Sequence, residues 1–142
     1  MKQIRGLLLV PQYVWAFPWT LLGLIIGSLG LLTGGKVQRH GAVFEFHGGA
    51  VRWFLERMPN QVMAMTIGFT VMGVTRAGLD VSRDHEMIHV AQYGRWGPLF
   101  VPAYMVSSLY IRMKGGRAYR DNPFEVEAYT KAPINRPDTP EL

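Results

Sequence analysis

The feature that most limits how this chain can fold is an apolar stretch from Leu7 to Leu32. Its densest part, Leu21 to Leu32, carries no charge, and four aromatic residues precede it: Tyr13, Trp15, Phe17 and Trp19. Aromatic residues ahead of an apolar run are typical of a membrane interface. A helix that begins at Pro18, where the missing N–H costs nothing, spans about 22 Å, which is short for a bilayer core.

A helix that begins at Leu7 is long enough, but Pro11 and Pro18 are expected to interrupt it. Lys2 and Arg5 give the N-terminus the charged start of a secretory signal, yet no small-residue cleavage site follows in a suitable position. We therefore expect residues 1–33 to form an uncleaved membrane anchor. A buried core helix is the alternative.

The composition agrees with a membrane surface better than with nucleic acid. Apolar residues make up 49% of the 142 residues and charged residues only 18%, below the usual quarter. The net charge is +5, but the basic residues form no single block, so we expect membrane lipids as partners and no nucleic acid. The absence of cysteine excludes disulfide scaffolds, thiolate metal sites and cysteine nucleophiles.

The middle of the chain predicts a small sheet. Residues alternate from Ala42 to His47, and Gly48-Gly49 can form a tight turn, so a β-hairpin is expected over Ala42–Arg57. Met63–Val74 predicts a third strand, and a membrane-embedded segment is the less favoured alternative. With the helices around it, this pattern predicts an α+β fold with a small antiparallel sheet.

The sequence D-H-E-M-I-H-V-A-Q-Y, at residues 84–93, carries the clearest chemical pattern. On a helix that Asp80 or Ser82 caps and Gly94 ends, His85 and His89 face the same way and can bind one metal ion. A glutamate beside the first histidine, Glu86, can deprotonate a water molecule on that ion. A surface helix with two solvated histidines is the alternative.

A catalytic zinc requires a third protein ligand. The candidates are two histidines before the helix, His40 and His47, and two glutamates after it, Glu125 and Glu127. Asn122-Pro123 predicts the start of a short helix that ends at Pro133, and this start places Glu125 at the third helical position. A glutamate there can also serve only to cap the helix.

The H-E-x-x-H pattern, followed by E-x-x-A at residues 125–128, resembles the gluzincin zinc metallopeptidases. The resemblance is strongest to the minimal members and to the membrane-associated ones related to the CAAX-processing and heat-shock-induced peptidases. It implies a minimal zincin-like part, a zinc cofactor, a peptide or protein substrate, and His85, His89 and Glu125 as ligands. That family's aspartate, a partner of a ligand histidine, is replaced here by Tyr129. Residues 84–129 also resemble a family of small uncharacterised bacterial membrane proteins, which implies a bacterial inner membrane but no activity.

The prediction of membrane association and the prediction of a metal site constrain each other. If the apolar run Gly97–Met113 crossed the bilayer, Glu125 would lie on the opposite side from the histidines. The run has 17 residues and two prolines, which is marginal for a span, so we expect an interfacial helix. Basic residues follow it and favour the cytoplasmic side: Arg112, Lys114, Arg117 and Arg120.

The sequence thus predicts an anchor (1–33), a small zincin-like domain (34–133) and a mobile tail (134–142). The expected function is a membrane-associated zinc metallopeptidase, with Glu86 as general base and with Met63–Val74 available to pair with an extended peptide. The alternative is a non-catalytic membrane subunit or binding module with a structural or vestigial metal site.

Overall fold

The computed structural model describes residues 2–59 and 62–134, and only the backbone of residues 2–10. The predicted tail therefore lies outside the described residues, except for Ile134. The fold is α+β, as predicted, with a long apolar N-terminal helix and one four-stranded sheet. The elements, besides one 3-10 turn at Gly97–Leu99, are α1 (Lys2–Leu32), β1 (Lys36–His40), β2 (Val43–His47), α2 (Gly49–Leu55), β3 (Ala64–Ile67), β4 (Thr70–Gly73), α3 (Arg76–Trp96), α4 (Phe100–Met113) and α5 (Pro123–Lys131).

The sheet is mixed, so the prediction of an antiparallel sheet was wrong in part. Its strand order is β1-β2-β4-β3, and the two central strands, β2 and β4, are parallel, with Phe44 opposite Thr70 and His47 opposite Gly73. The outer pairs, β1 with β2 and β3 with β4, are antiparallel. The parallel pair arises because α2 and β3 intervene between β2 and β4, which allows the chain to return in the same direction.

The predicted hairpin over Ala42–Arg57 was wrong in position. The hairpin turn lies at Gly41-Ala42, between β1 and β2, and Gly48-Gly49 leads instead from β2 into α2. Residues 49–55 form a helix because their inward apolar residues, Val51 and Leu55, are four apart and both are buried.

The predicted single strand Met63–Val74 is two short strands, β3 and β4, joined by a turn at Gly68-Phe69. Gly68 has φ +62°, and its α-carbon faces the backbone of Thr20 in α1, where a side chain would collide. The Thr20 hydroxyl accepts a hydrogen bond from the Phe69 N–H (3.0 Å). The turn therefore serves as a contact between the sheet and the N-terminal helix.

Helix α1 runs through Pro11 and Pro18 without a break, contrary to the expected interruption. Its segment Pro11–Leu32 has 22 residues, and at about 1.5 Å per residue it is long enough to cross a bilayer. An 18-residue window of this segment has a mean hydropathy of 1.7. A signal sequence or a core helix meets the same criterion of length and composition. Only 22% of that window is buried, however, whereas a soluble core helix is mostly buried.

Small residues of α1 face the sheet and α2. A side chain at Gly27 would lie 2.6 Å from the Phe46 ring, and one at Gly30 would lie 2.7 Å from Val51. Ala16 and Gly23 are buried on the same side. The helix thus lies along the domain, while its other face remains exposed with large apolar residues: Val14, Phe17, Leu21, Leu22, Ile25, Leu29 and Leu32.

Helix α3 begins and ends at different residues from those predicted. Thr75 caps its start, since its hydroxyl accepts from the Gly78 N–H (3.0 Å), so neither Asp80 nor Ser82 is the cap. Gly94 lies inside the helix, which ends at Trp96 with Gly97, at φ +55°, as its C-cap. The helix therefore has 21 residues and extends beyond the histidine segment in both directions.

Candidate metal centre

The two histidines of α3 are buried and adjacent. His85 is 2% exposed and His89 is 7% exposed, so the alternative of two solvated histidines is wrong. The Nε2 atoms of the two rings lie 3.3 Å apart. The spacing of four residues has this effect because it places the side chains one helical turn apart on the same face.

Helix α5 brings Glu125 to the histidines. Its Oε2 atom lies 3.4 Å from Nε2 of His85 and 3.4 Å from Nε2 of His89. As predicted, Asn122 is the N-cap, with its side chain accepting from the Phe124 N–H, and Pro123 follows. Glu125 does not close a capping box, because the Asn122 N–H donates to the Tyr119 carbonyl.

The three ligand atoms form a nearly equilateral triangle with sides of 3.3, 3.4 and 3.4 Å. Ligands that lie about 2.0–2.1 Å from a tetrahedral zinc are about 3.3–3.4 Å from one another. Oε2 of Glu125 is buried and has no hydrogen-bond partner, which is costly for a carboxylate oxygen unless a cation is near. The donor set of two imidazoles and one carboxylate therefore fits a metal ion.

The electrostatics of the triangle favour a positive charge. Burial raises the pKa of Glu125, but the neighbouring imidazoles of His85 and His89 outweigh it and lower that pKa to about 2. Burial lowers the pKa of His89, but the neighbouring carboxylates of Glu125 and Glu86 raise it to about 9. Both shifts favour a positive charge between the three side chains, and a metal ion there would have to displace any proton held by His89.

Glu86 is buried beside the triangle and is fixed by the sheet. Its Oε2 accepts a hydrogen bond of 2.6 Å from the hydroxyl of Thr66 in β3. The same hydroxyl lies 3.2 Å from the Glu86 backbone carbonyl. Nothing in the local sequence pattern indicated Thr66, because the contact joins residues twenty positions apart through the packing of α3 on β3.

The other ring nitrogens of the histidines also have partners. Nδ1 of His85 lies 3.3 Å from the Ala132 carbonyl, and Nδ1 of His89 lies 2.8 Å from Oε1 of Gln92. Tyr129 packs its ring against that of His85, with ring centres 4.4 Å apart. Tyr129 therefore contacts the histidine by packing, and the Ala132 carbonyl is the polar partner.

Tyr104 of α4 holds the second oxygen of Glu125, since its hydroxyl donates to Oε1 at 2.8 Å. Burial and the negative charge of Glu125 raise the pKa of Tyr104, so the hydroxyl remains a donor. On the same helix, the Tyr104 carbonyl and the Ser108 hydroxyl accept from the Asn122 amide. Nothing in the sequence around Tyr104 indicated this contact, because it joins residues 21 positions apart.

The remaining candidate ligands do not join the triangle. His40 and His47 lie at the ends of β1 and β2 and belong to no described cluster of metal-binding type. Glu127 points away, and its carboxylate pairs with Arg95, Lys131 and Gln92. These partners lower the pKa of Glu127 to about 2, with Lys131 contributing most.

An open cavity of about 470 Å³ lies beside the N-terminal half of α3. Its wall is mostly apolar and includes Leu55, Met63, Val74 and Val81. None of the four candidate site residues lines it. The cavity is therefore separate from the cluster of His85, Glu86, His89 and Glu125.

No protein-family model, no curated protein and no solved structure gives a significant match to this chain.

Proposed function

We propose that this protein is a membrane-associated zinc metallopeptidase in which His85, His89 and Glu125 bind the metal and Glu86 is the general base. The observation that carries the proposal is the triangle of ligand atoms, with sides of 3.3–3.4 Å and one orphaned carboxylate oxygen. Three protein ligands leave one tetrahedral position open, as catalytic zinc sites do.

The roles of the side chains follow from their contacts. A zinc ion held by His85, His89 and Glu125 would polarise a water molecule, lowering its pKa from 15.7 to about 7. Glu86 would take one proton from the water as its oxygen adds to the peptide carbonyl carbon, and would pass that proton to the amide nitrogen as the C–N bond breaks. Thr66 holds the Glu86 carboxylate, and Tyr104 holds Glu125 with one oxygen directed at the histidines.

The position of strand β3 favours a peptide as the substrate. It lies at an edge of the sheet and contacts α3, so an extended peptide can add to it as a further strand near Glu86. The hydroxyl of Tyr93 donates to the Thr66 carbonyl (3.3 Å), so this carbonyl is already engaged.

The exposed apolar faces of α1 and α4 support membrane association. On α4, large apolar residues face outward with helical spacing, and the most exposed are Met105, Val106, Leu109, Tyr110 and Met113. The basic residues Arg112, Lys114 and Arg117 adjoin this face and are exposed, as residues that contact anionic headgroups are. The indole of Trp19 in α1 donates to the Pro98 carbonyl, which ties α1 to the 3-10 turn that precedes α4.

The metal site can be tested with two glutamates of α5. We expect Glu125→Gln to lose zinc binding by at least 10-fold, because the variant removes a charged ligand. The matched control, Glu127→Gln, makes the same change in charge outside the triangle, and its amide oxygen can still accept the hydrogen bond from Gln92. Zinc content and chelator competition measure both, and equal binding in wild type and Glu125→Gln would remove Glu125 from the ligand set.

The catalytic role rests on Glu86. A Glu86→Gln variant should bind zinc like the wild type and lose hydrolysis by at least about 100-fold, which is the usual contribution of a general base. Cleavage is measured on a peptide library and then on the best peptide. Full activity of Glu86→Gln would contradict the assignment.

A non-catalytic protein with a structural metal is the second candidate. The observation that favours it is the depth of the site: all three ligands are buried, and none of them lines the cavity beside α3. Zinc binding without hydrolysis of any peptide by the wild type would select this candidate over the first.

A further inference from the structure

Gln92 is fully buried in α3, and every polar group of its amide is engaged. Its Oε1 lies 2.8 Å from Nδ1 of His89. Its Nε2 donates to the Phe124 carbonyl (2.9 Å) and to Oε2 of Glu127 (2.8 Å). A single side chain thus links one proposed metal ligand to α5.

The partners of Gln92 fix the direction of its amide. The Phe124 carbonyl and the Glu127 carboxylate can only accept hydrogen bonds, so the NH₂ group must face them. The amide oxygen must then face His89, where it accepts a hydrogen bond from Nδ1–H. With Nδ1 held as this donor, Nε2 is the nitrogen of His89 that is left to bind a metal ion in the triangle.

The same amide also sets the position of α5. Phe124 immediately precedes Glu125, so the hydrogen bond to its carbonyl holds the backbone next to the third ligand. Glu127 is in turn held by Arg95 at 2.8 Å and by Lys131 at 2.7 Å. The network therefore runs from a surface ion pair, through Gln92, to the histidine.

We propose that Gln92 is the positioning residue of the metal centre. It selects the Nδ1–H tautomer of His89 and holds α5 so that Glu125 completes the triangle. This inference rests on the metal site under Proposed function. The Gln92 amide supplies one ligand histidine with the polar partner that metal-bound histidines require, while the other histidine uses a backbone carbonyl.

Gln92→Leu tests the proposal, because it keeps most of the side-chain volume and removes both polar groups. We expect zinc affinity, measured by chelator competition, to fall 10- to 100-fold. We also expect the visible spectrum of the cobalt-substituted protein to change, since that spectrum reports ligand geometry and not the stability of the fold. Thermal unfolding of the metal-free variants shows whether the fold persists.

A second pair of variants keeps the test decisive if Gln92→Leu does not fold. Gln92→Glu retains an acceptor for His89 but places a carboxylate oxygen against two acceptors, the Phe124 carbonyl and the Glu127 carboxylate. Adding Glu127→Gln supplies an NH₂ donor at that point, so the double variant should regain at least part of the zinc affinity lost by Gln92→Glu. No gain in the double variant would overturn the proposal.

The outcomes also separate this proposal from the metal site itself. If wild type binds zinc, Glu125→Gln does not, and Gln92→Leu binds like wild type with an unchanged cobalt spectrum, the metal site stands and the role of Gln92 is overturned. If wild type binds neither metal, the proposed function fails and this inference fails with it.

Discussion

The carboxylate of Glu86 has one side-chain hydrogen-bond donor among the described residues, the hydroxyl of Thr66. A general base must be held in one orientation to meet its proton, and this bond of 2.6 Å joins the base to a strand rather than to a loop. The hydroxyl also aligns the base with the edge strand on which we expect the peptide to lie.

We therefore expect Thr66→Val to bind zinc normally and to lower kcat by about 10-fold, a small part of the 10²–10⁴ that a general base contributes. Thr66→Ser should restore the rate, because it returns the hydroxyl. The measurement is steady-state cleavage of the peptide that the wild type hydrolyses best, beside zinc content. An unchanged kcat in Thr66→Val would show that Glu86 needs no such partner.

At the residue scale, the H-E-x-x-H spacing predicted that His85, Glu86 and His89 belong to one site, whereas Glu125 was indicated as the third ligand by the resemblance of E-x-x-A at residues 125–128. The residues alone could not choose between Glu125 and Glu127. That choice depends on how α5 rotates against α3, and this rotation is set by long-range contacts such as Gln92 with Phe124. Tyr104 was missed for the same reason.

At the scale of elements, a buried ion pair joins α3 to the sheet. Glu45 of β2 is 1% exposed, and Arg83 of α3 donates to both of its oxygens at 2.9 Å. Burial raises the pKa of Glu45, but the hydrogen bonds from Arg83 and Gln38 outweigh it, so the pKa lies below its usual value. This pair fixes the helix that carries the histidines.

Removing Arg83 leaves a buried carboxylate without its partner. We expect Arg83→Leu to lower the free energy of unfolding by about 3 kcal/mol near pH 7. The control is Arg52→Leu, which breaks an exposed pair with Glu56 and should change stability by less than about 0.5 kcal/mol. Urea unfolding followed by circular dichroism measures both.

The pH dependence of this difference has a defined sign. A carboxyl whose pKa is lowered by folding stabilises the protein above its unfolded pKa, near 4.5 for Glu45, and this contribution is lost as pH falls through the lower folded value. The difference between wild type and Arg83→Leu should therefore shrink below about pH 4.5. A difference that stays constant between pH 7 and pH 3 would contradict the assignment.

Element prediction was successful where the pattern is local and failed where pairing is distant. The helix that carries the histidines and the Asn122 cap were recognised from their own residues. The segment after Gly48 was predicted as a strand, but Val51 and Leu55 follow a helical period, and the contact of α2 with α1 stabilises that helix. The parallel pairing of β2 with β4 has no local signal, because it depends on a crossover.

At the scale of the whole molecule, the orientation of α1 in a membrane also fixes the orientation of the sheet, because the two are packed together. The inner face of α1 touches Gly68, Phe46 and Val51 over successive turns, so the helix lies along the domain. If α1 crossed a bilayer in this arrangement, the edges of strands β1 and β3 would lie at the depth of the lipid tails, where unpaired backbone groups are very costly.

The position of α4 in the chain likewise argues against a membrane crossing. His85 and His89 precede α4 and Glu125 follows it, yet Nε2 of each histidine lies 3.4 Å from Oε2 of Glu125. A helix that crossed the bilayer would separate them. We therefore expect both apolar helices to lie in the plane of the membrane surface, with their outer faces in lipid and the metal site on the water side.

Single cysteines can test this orientation without background labelling, because the natural chain has no cysteine. We expect Pro11→Cys and Lys36→Cys, at the two ends of the apolar segment, to react with a membrane-impermeant maleimide from the same side of sealed vesicles. Replacing Pro11 restores a helical N–H, so this variant should not weaken α1. Ile25→Cys, on the outer face, should be protected until detergent is added.

Labelling of Pro11→Cys and Lys36→Cys from opposite sides would show that α1 crosses the bilayer, and the sheet would then have to separate from it.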